Sequence, residues 1–162
     1  MSSLKYNCIL FFITLLFSDA LSQTNTLTME YKTSDLNIKR KVRRDPLGLA
    51  TQLTKDKANE KEKFDAIFAW VATHIRYNYR MALSSSGSPH PDPRRTLKYR
   101  GGVCIDYANL MDTLCGLVGI TNVSVYGYAK DQIFDVHDSL YIDNHAWNAV
   151  RLDGKWYVYD VT

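Results

Sequence analysis

The sequence predicts a domain in which helices come first and a small antiparallel sheet closes the chain. Three observations carry that expectation. Phe64, Ile67, Phe68, Val71 and Ile75 recur at i, i+3, i+4, i+7 and i+11, which is one face of a helix. The stretch from Val103 to Val118 turns helical again, with Gly116 and Gly119 as stop signals. Asp153-Gly154 then stands between two alternating runs, the pattern of a two-residue type I′ hairpin. The 162 residues, 46% hydrophobic and 12% aromatic, suffice for one domain and exclude disorder as the main description. A net charge of +3 is too mild to argue for nucleic acid, and three cysteines exclude a dense disulfide scaffold.

Residues 1–22 read as a signal peptide rather than as fold. Lys5 precedes the apolar run Cys8 to Phe17, and Ala20 and Ser22 put small residues where a signal peptidase inspects. A run of about ten apolar residues is too short to span the hydrocarbon of a bilayer but suits a leader. Cleavage is expected before Gln23, and an uncleaved anchor is the alternative. Residues 23–45 form a polar segment with the basic cluster Lys39 to Arg44, read as a solvated face or linker. The domain itself is expected over 46–162.

Its first element is a short amphipathic helix, Pro46 to Thr54, through Leu47, Leu49 and Leu53. Thr54 is read as the N-cap of a long helix from Asp56 to Arg76, with Trp70 widening the apolar stripe and His74 as a packing or cap residue. Ser84 to Arg95 holds three of the four prolines and is read as a loop. After the second long helix come a strand over Val123 to Ala129, a loop over Lys130 to Asp143, and the strands Ala146 to Leu152 and Lys155 to Val161.

Cys104 follows Gly101-Gly102-Val103 and opens a helix. The positive end of the helix dipole favours a thiolate there, and the glycines let another backbone approach. A structural core cysteine is the plain alternative. Cys115 lies eleven residues on, so in a continuous helix the two are about 16 Å apart. A disulfide needs Cα atoms within about 7 Å. Cys115, among Leu110, Met111, Leu114 and Leu117, reads as core. The hairpin turn opposes Leu152 to Lys155, so Trp147 faces Asp160 and Thr162 falls opposite His145. His145 then shares Asp160's face one diagonal step away, about 7–8 Å between Cα atoms. A thiol at a helix start and a His–Asp pair on adjacent strands supply a nucleophile, a base and its orienter.

Gly102-Val103-Cys104-Ile105-Asp106-Tyr107-Ala108, Val125-Tyr126-Gly127-Tyr128, His145-Ala146-Trp147-Asn148 and Trp156-Tyr157-Val158-Tyr159-Asp160-Val161-Thr162 resemble, in order and spacing, the transglutaminase-like superfamily. Phe68-Ala69-Trp70-Val71 through Ile75-Arg76-Tyr77 resembles the helix ahead of its catalytic core. The resemblance runs from about Leu47 to the last residue and is nearest to the kyphoscoliosis-peptidase-like members. It implies a papain-like α+β fold, helices packed on a small antiparallel sheet, with Cys104, His145 and Asp160 as the catalytic triad. The Cys104 N–H would be one oxyanion donor, with Tyr77, Asn78 and Tyr79 as candidates for the second. In that family the D-x-T motif is followed by a tryptophan and further strand, so a core truncated at its C-terminal end is expected.

The implied function is a secreted cysteine-dependent acyl-transfer enzyme, a peptidase or amidase or a transglutaminase-type enzyme, acting on peptide or protein amides. A catalytically inactive module for protein binding at or outside the cell surface is the alternative. No cofactor, metal, nucleic acid or stable membrane insertion after leader cleavage is expected. Asp131, Asp135, Asp138 and Asp143 lack the spacing of a calcium loop, and a zinc site from Cys104, His137 and His145 lacks paired ligand spacing. His137 is a rival base on a less rigid loop.

Overall fold

Asp45-Pro46 starts the first helix. In the computed structural model the Asp45 carboxylate accepts from the Gly48 N–H at 2.9 Å, and proline occupies the first turn of α1, Pro46–Thr54. The structure describes residues 38–84, 91–129 and 144–162. The leader at 1–22, the segment at 23–37, His90, the loop Lys130 to Asp143 and its His137 lie outside the described residues.

Leu49, Ala50 and Leu53 of α1 are buried, whereas Leu47 faces solvent. Thr54 does not cap the next helix. Its hydroxyl donates back to the Ala50 carbonyl at 2.8 Å, so α1 runs through it. The cap is Asn59, whose side chain accepts from the Glu62 N–H at 2.9 Å while the Glu62 carboxylate reaches back to the Ala58 N–H. Helix α2 is therefore Glu60–His74, shorter than expected at its start. Phe64, Ile67, Trp70 and Val71 are buried along it, followed by Ile75. The His74 ring stacks on Trp70 at 4.6 Å, the packing role expected of it.

The chain then forms β1, Arg76–Tyr77, and a single-turn helix α3, Tyr79–Ala82. The expected loop over Ser84 to Arg95 ends early. Asp92 accepts from the Arg94 N–H at 2.9 Å and Pro93 takes the first helical position, so α4 runs Pro93–Tyr99. Arg100 leaves that helix in the left-handed region at φ 53° and turns the chain into β2, Gly101–Gly102. β2 pairs in parallel with β1, Tyr77 beside Gly102.

Helix α5, Cys104–Gly116, is central. Its buried face of Tyr107, Ala108, Leu110, Met111, Leu114 and Cys115 packs on the antiparallel sheet and on α1, α2 and α4. The sheet order is β3-β4-β5, with β3 Asn122–Gly127, β4 His145–Leu152 and β5 Lys155–Tyr159. Asp153 and Gly154 have φ of 50° and 79°, as a type I′ turn requires, and Leu152 opposes Lys155. Ala146, Asn148, Val150 and Leu152 are the buried face of β4; His145, Trp147, Ala149 and Arg151 alternate with them on the other. Buried hydrogen bonds tie the layers together. Tyr107 O–H donates to the Ile75 carbonyl at 2.7 Å, and Asn148 Nδ2 to the Ala108 carbonyl at 3.0 Å.

Candidate active site

Cys104 is the first residue of α5, half-buried and not disulfide-bonded. Its approach is made rigid by a side chain that sequence reasoning passed over. The Val103 N–H, buried, donates to Asp106 Oδ2 at 2.9 Å, closing the first turn of α5. Gly102 leaves room for this: a Cβ there would stand 2.4 Å from Asp106 Cβ. The glycine is a visible signal in the sequence, whereas residue type alone does not mark its partner, three residues into the helix, as a cap.

Tyr77 approaches Cys104 from β1. Its backbone lies beside Gly102, and the next residue's N–H, of Asn78, donates to the Gly102 carbonyl at 2.8 Å. Burial first, then the neighbouring Cys104, Tyr79 and Asp160, push the Tyr77 hydroxyl above its ordinary range, against a weaker opposing pull from the Cys104 backbone. The phenol is thus protonated at neutral pH. Of the other two candidate donors, Asn78 spends its side-chain oxygen on the Met81 N–H at 3.1 Å, and Tyr79 packs its ring on Tyr77 while remaining largely exposed.

His145 and Asp160 are brought together. Nε2 of His145 lies 2.5 Å from Asp160 Oδ2, across the diagonal that the hairpin register dictates. An ionised carboxylate is acceptor-only, so Nε2–H donates to it. Thr162, opposite His145, turns toward Asp160 instead: its N–H and its hydroxyl donate to Oδ1 at 3.0 and 2.7 Å. Partial burial acts to raise the Asp160 carboxyl, but the hydrogen bonds from His145 and Thr162 outweigh it and hold the group below the usual carboxylate range. The D-x-T spacing held that signal.

Trp147 is placed on the same face beside the imidazole, ring centroids 5.9 Å apart. Asn144 latches the chain just before His145, donating to and accepting from the Ala129 backbone at 3.0 and 2.7 Å. At the far end of α5, burial and then Asp112 push the Cys115 thiol up to about 12. Among the described residues no three His, Cys, Asp or Glu side chains gather as metal ligands.

A family model described as the transglutaminase-like superfamily matches residues 48–161. Over 115 residues the chain is 30% identical to kyphoscoliosis peptidase of Mus musculus, covering 70% of this chain and 17% of that protein. The chain thus spans less than a fifth of that relative's length. A crystal structure of a TGase superposes with a TM-score of 0.56 at 15% identity, over 90% of this chain and 37% of the other. A candidate cysteine protease from Cytophaga hutchinsonii superposes at 0.54 with 24% identity, over 81% and 44%. The mixed fold of helices on a small sheet is shared with both.

Proposed function

Because the chain belongs to the transglutaminase-like superfamily, we propose that it is an exported cysteine-dependent acyl-transfer enzyme acting on peptide or protein amides through Cys104, His145 and Asp160. The observation that carries this reading is the His145–Asp160 hydrogen bond beside a helix whose first residue is a thiol. The peptidase name of the Mus musculus relative supports the same chemistry. Export rests on the apolar run at 8–17 and the small residues Ala20 and Ser22.

Asp160 holds the imidazole by Nε2–H, leaving Nδ1 to take the Cys104 proton. The thiolate attacks the amide carbonyl, and the carbonyl π electrons move onto oxygen. That oxyanion takes over the Cys104 N–H and meets the protonated Tyr77 hydroxyl as its second donor. Collapse breaks the C–N bond; the imidazolium gives its proton to the departing amine, leaving a thioester on Cys104. Water, or a primary amine, then attacks the thioester carbonyl as His145 removes its proton; the C–S bond breaks, the acid or the new amide leaves, and the imidazolium returns its proton to the Cys104 sulfur. A second reading, a non-catalytic binding module, draws on the Tyr77 phenol standing close to the Cys104 backbone, where an oxyanion would bind.

Thiol reactivity separates the two. The protein is treated with limiting iodoacetamide from pH 5 to 9 and modification is mapped by mass spectrometry. The enzyme reading expects Cys104 to be labelled well below the free-thiol pKa of about 8.5, with the advantage lost in His145→Ala. A folded protein whose Cys104 reacts like a free thiol, whatever stands at 145, sinks it. Casein with a fluorescent primary amine then distinguishes outcomes: fragments mark hydrolysis, incorporated label marks transfer.

A further inference from the structure

Trp147 has no part in the proton transfers, yet the sheet is built around its ring. Trp147 opposes Val125 across β3 and β4, and Gly127 opposes His145. Paired residues share a face, so Val125, Gly127, His145 and Trp147 form one rectangle on the side of the sheet that carries Asp160. Within it the indole leans diagonally over Gly127. A Cβ at 127 would stand 2.7 Å from Trp147 Cη2, with Cζ3 and Cζ2 at 3.5 and 3.7 Å. The imidazole leans along the opposite diagonal, to Asp160. Its ring is therefore boxed, with the indole on the β3 side and the carboxylate on the β5 side. Trp147 is half-buried and its ring lies at 30° to the imidazole.

We infer that Trp147 is the positioning residue that keeps the His145 ring on Asp160, and that residue 127 is glycine so that the indole can lie there. Without the indole the imidazole has an open side and rotates about its χ angles, at the expense of the Nε2 hydrogen bond. With a side chain at 127 the indole is driven toward the imidazole or off the sheet. This inference rests on the reading in which His145 activates Cys104.

The test needs no substrate. Iodoacetamide profiles of Cys104 from pH 5 to 9 are compared for wild type, Trp147→Ala, Trp147→Phe, Gly127→Ala and His145→Ala, each shown to be folded by circular dichroism. In parallel, proton NMR follows the downfield Nε2–H resonance of His145. Trp147→Ala and Gly127→Ala are expected to move the alkylation midpoint up toward the free-thiol value of about 8.5 and to weaken or broaden that resonance. Trp147→Phe, which keeps a ring against Gly127, retains both. If wild type depends on His145 but the folded Trp147→Ala and Gly127→Ala proteins keep the wild-type midpoint and resonance, the positioning role is wrong and the catalytic reading survives. If wild type itself reacts as a free thiol, both fall.

Discussion

Helix α5 carries a thiol near each end, and the two ends have opposite surroundings. Cys104 stands at the N-terminus, half-buried, with Gly102 behind it, Tyr77 beside it and the His145–Asp160 pair on the neighbouring sheet. Cys115 is fully buried among Leu110, Met111 and Leu114, and burial with Asp112 pushes its thiol up to about 12. Nothing in the residue type separates them. What differs is place: one thiol opens the helix half-buried, and the other is enclosed in apolar surroundings that disfavour a thiolate.

The largest expected effect is the activity difference between the two ends. On the proposed reading Cys104→Ala abolishes amide turnover, a loss on the order of 10⁶-fold for a nucleophile. Cys115→Ala leaves turnover intact and costs about 1 kcal/mol of stability, read by urea unfolding, because it opens a small cavity. Equal losses at both positions would dissolve the comparison. Asp160→Asn comes next. It keeps the shape but no longer fixes the imidazole tautomer, and costs about 10⁴-fold in kcat. Because Asp160 is held below the usual carboxylate range, it contributes stability that is present above about pH 3.9 and is lost as pH falls through its lower folded value. Urea midpoints measured from pH 5 to 2 should show that acid loss, and Asp160→Asn should lose less over the same interval.

Much of this contrast was legible in the sequence, because short-range rules govern it. The Asp153-Gly154 turn fixed the register and with it the His145–Asp160 diagonal. The periodicity of α5 placed Cys115 in the core and forbade a disulfide. What stayed hidden depends on side chains choosing among local partners. Thr54 offered a hydroxyl where a cap was wanted, but Asn59 had Glu62 to complete a reciprocal pair and won. Asp92-Pro93 carried a helix start inside a stretch whose prolines argued for a loop. Tyr77 is named through the family resemblance as a candidate donor, but the parallel two-residue pairing that carries it to Gly102, across a gap of more than twenty residues, has no periodicity to mark it.

Tyr77→Phe sharpens the comparison from the side of the oxyanion. If the hydroxyl is the second donor, its removal lowers kcat by about 10²-fold with little change in KM, the scale of one oxyanion-hole donor. If the phenol instead only occupies the Cys104 N–H, turnover rises. Steady-state kinetics on a peptide amide gives the sign.

The smallest effect divides the aspartates that accompany the two thiols. Asp106 lies in the first turn of α5 and accepts from the buried Val103 N–H at 2.9 Å. Asp106→Ala leaves that donor unpaired and costs about 1–2 kcal/mol, whereas Asp106→Asn keeps an acceptor and costs less. Asp112 lies one turn before Cys115, and burial pushes its carboxyl up against a weaker opposing pull from Asn122. A raised carboxyl works in the opposite sense to Asp160: its contribution is present below about pH 3.9 and declines as pH rises through its folded value. Above that range the group therefore penalises the folded state relative to the unfolded chain, and Asp112→Asn should leave stability unchanged or raise it. Urea midpoints of both variants at pH 7 decide the matter. A loss on Asp112→Asn as large as that on Asp106→Ala would mean that the Cys115 end relies on its carboxylate as the Cys104 end does, and the division of α5 into a reactive end and a packed end would fail.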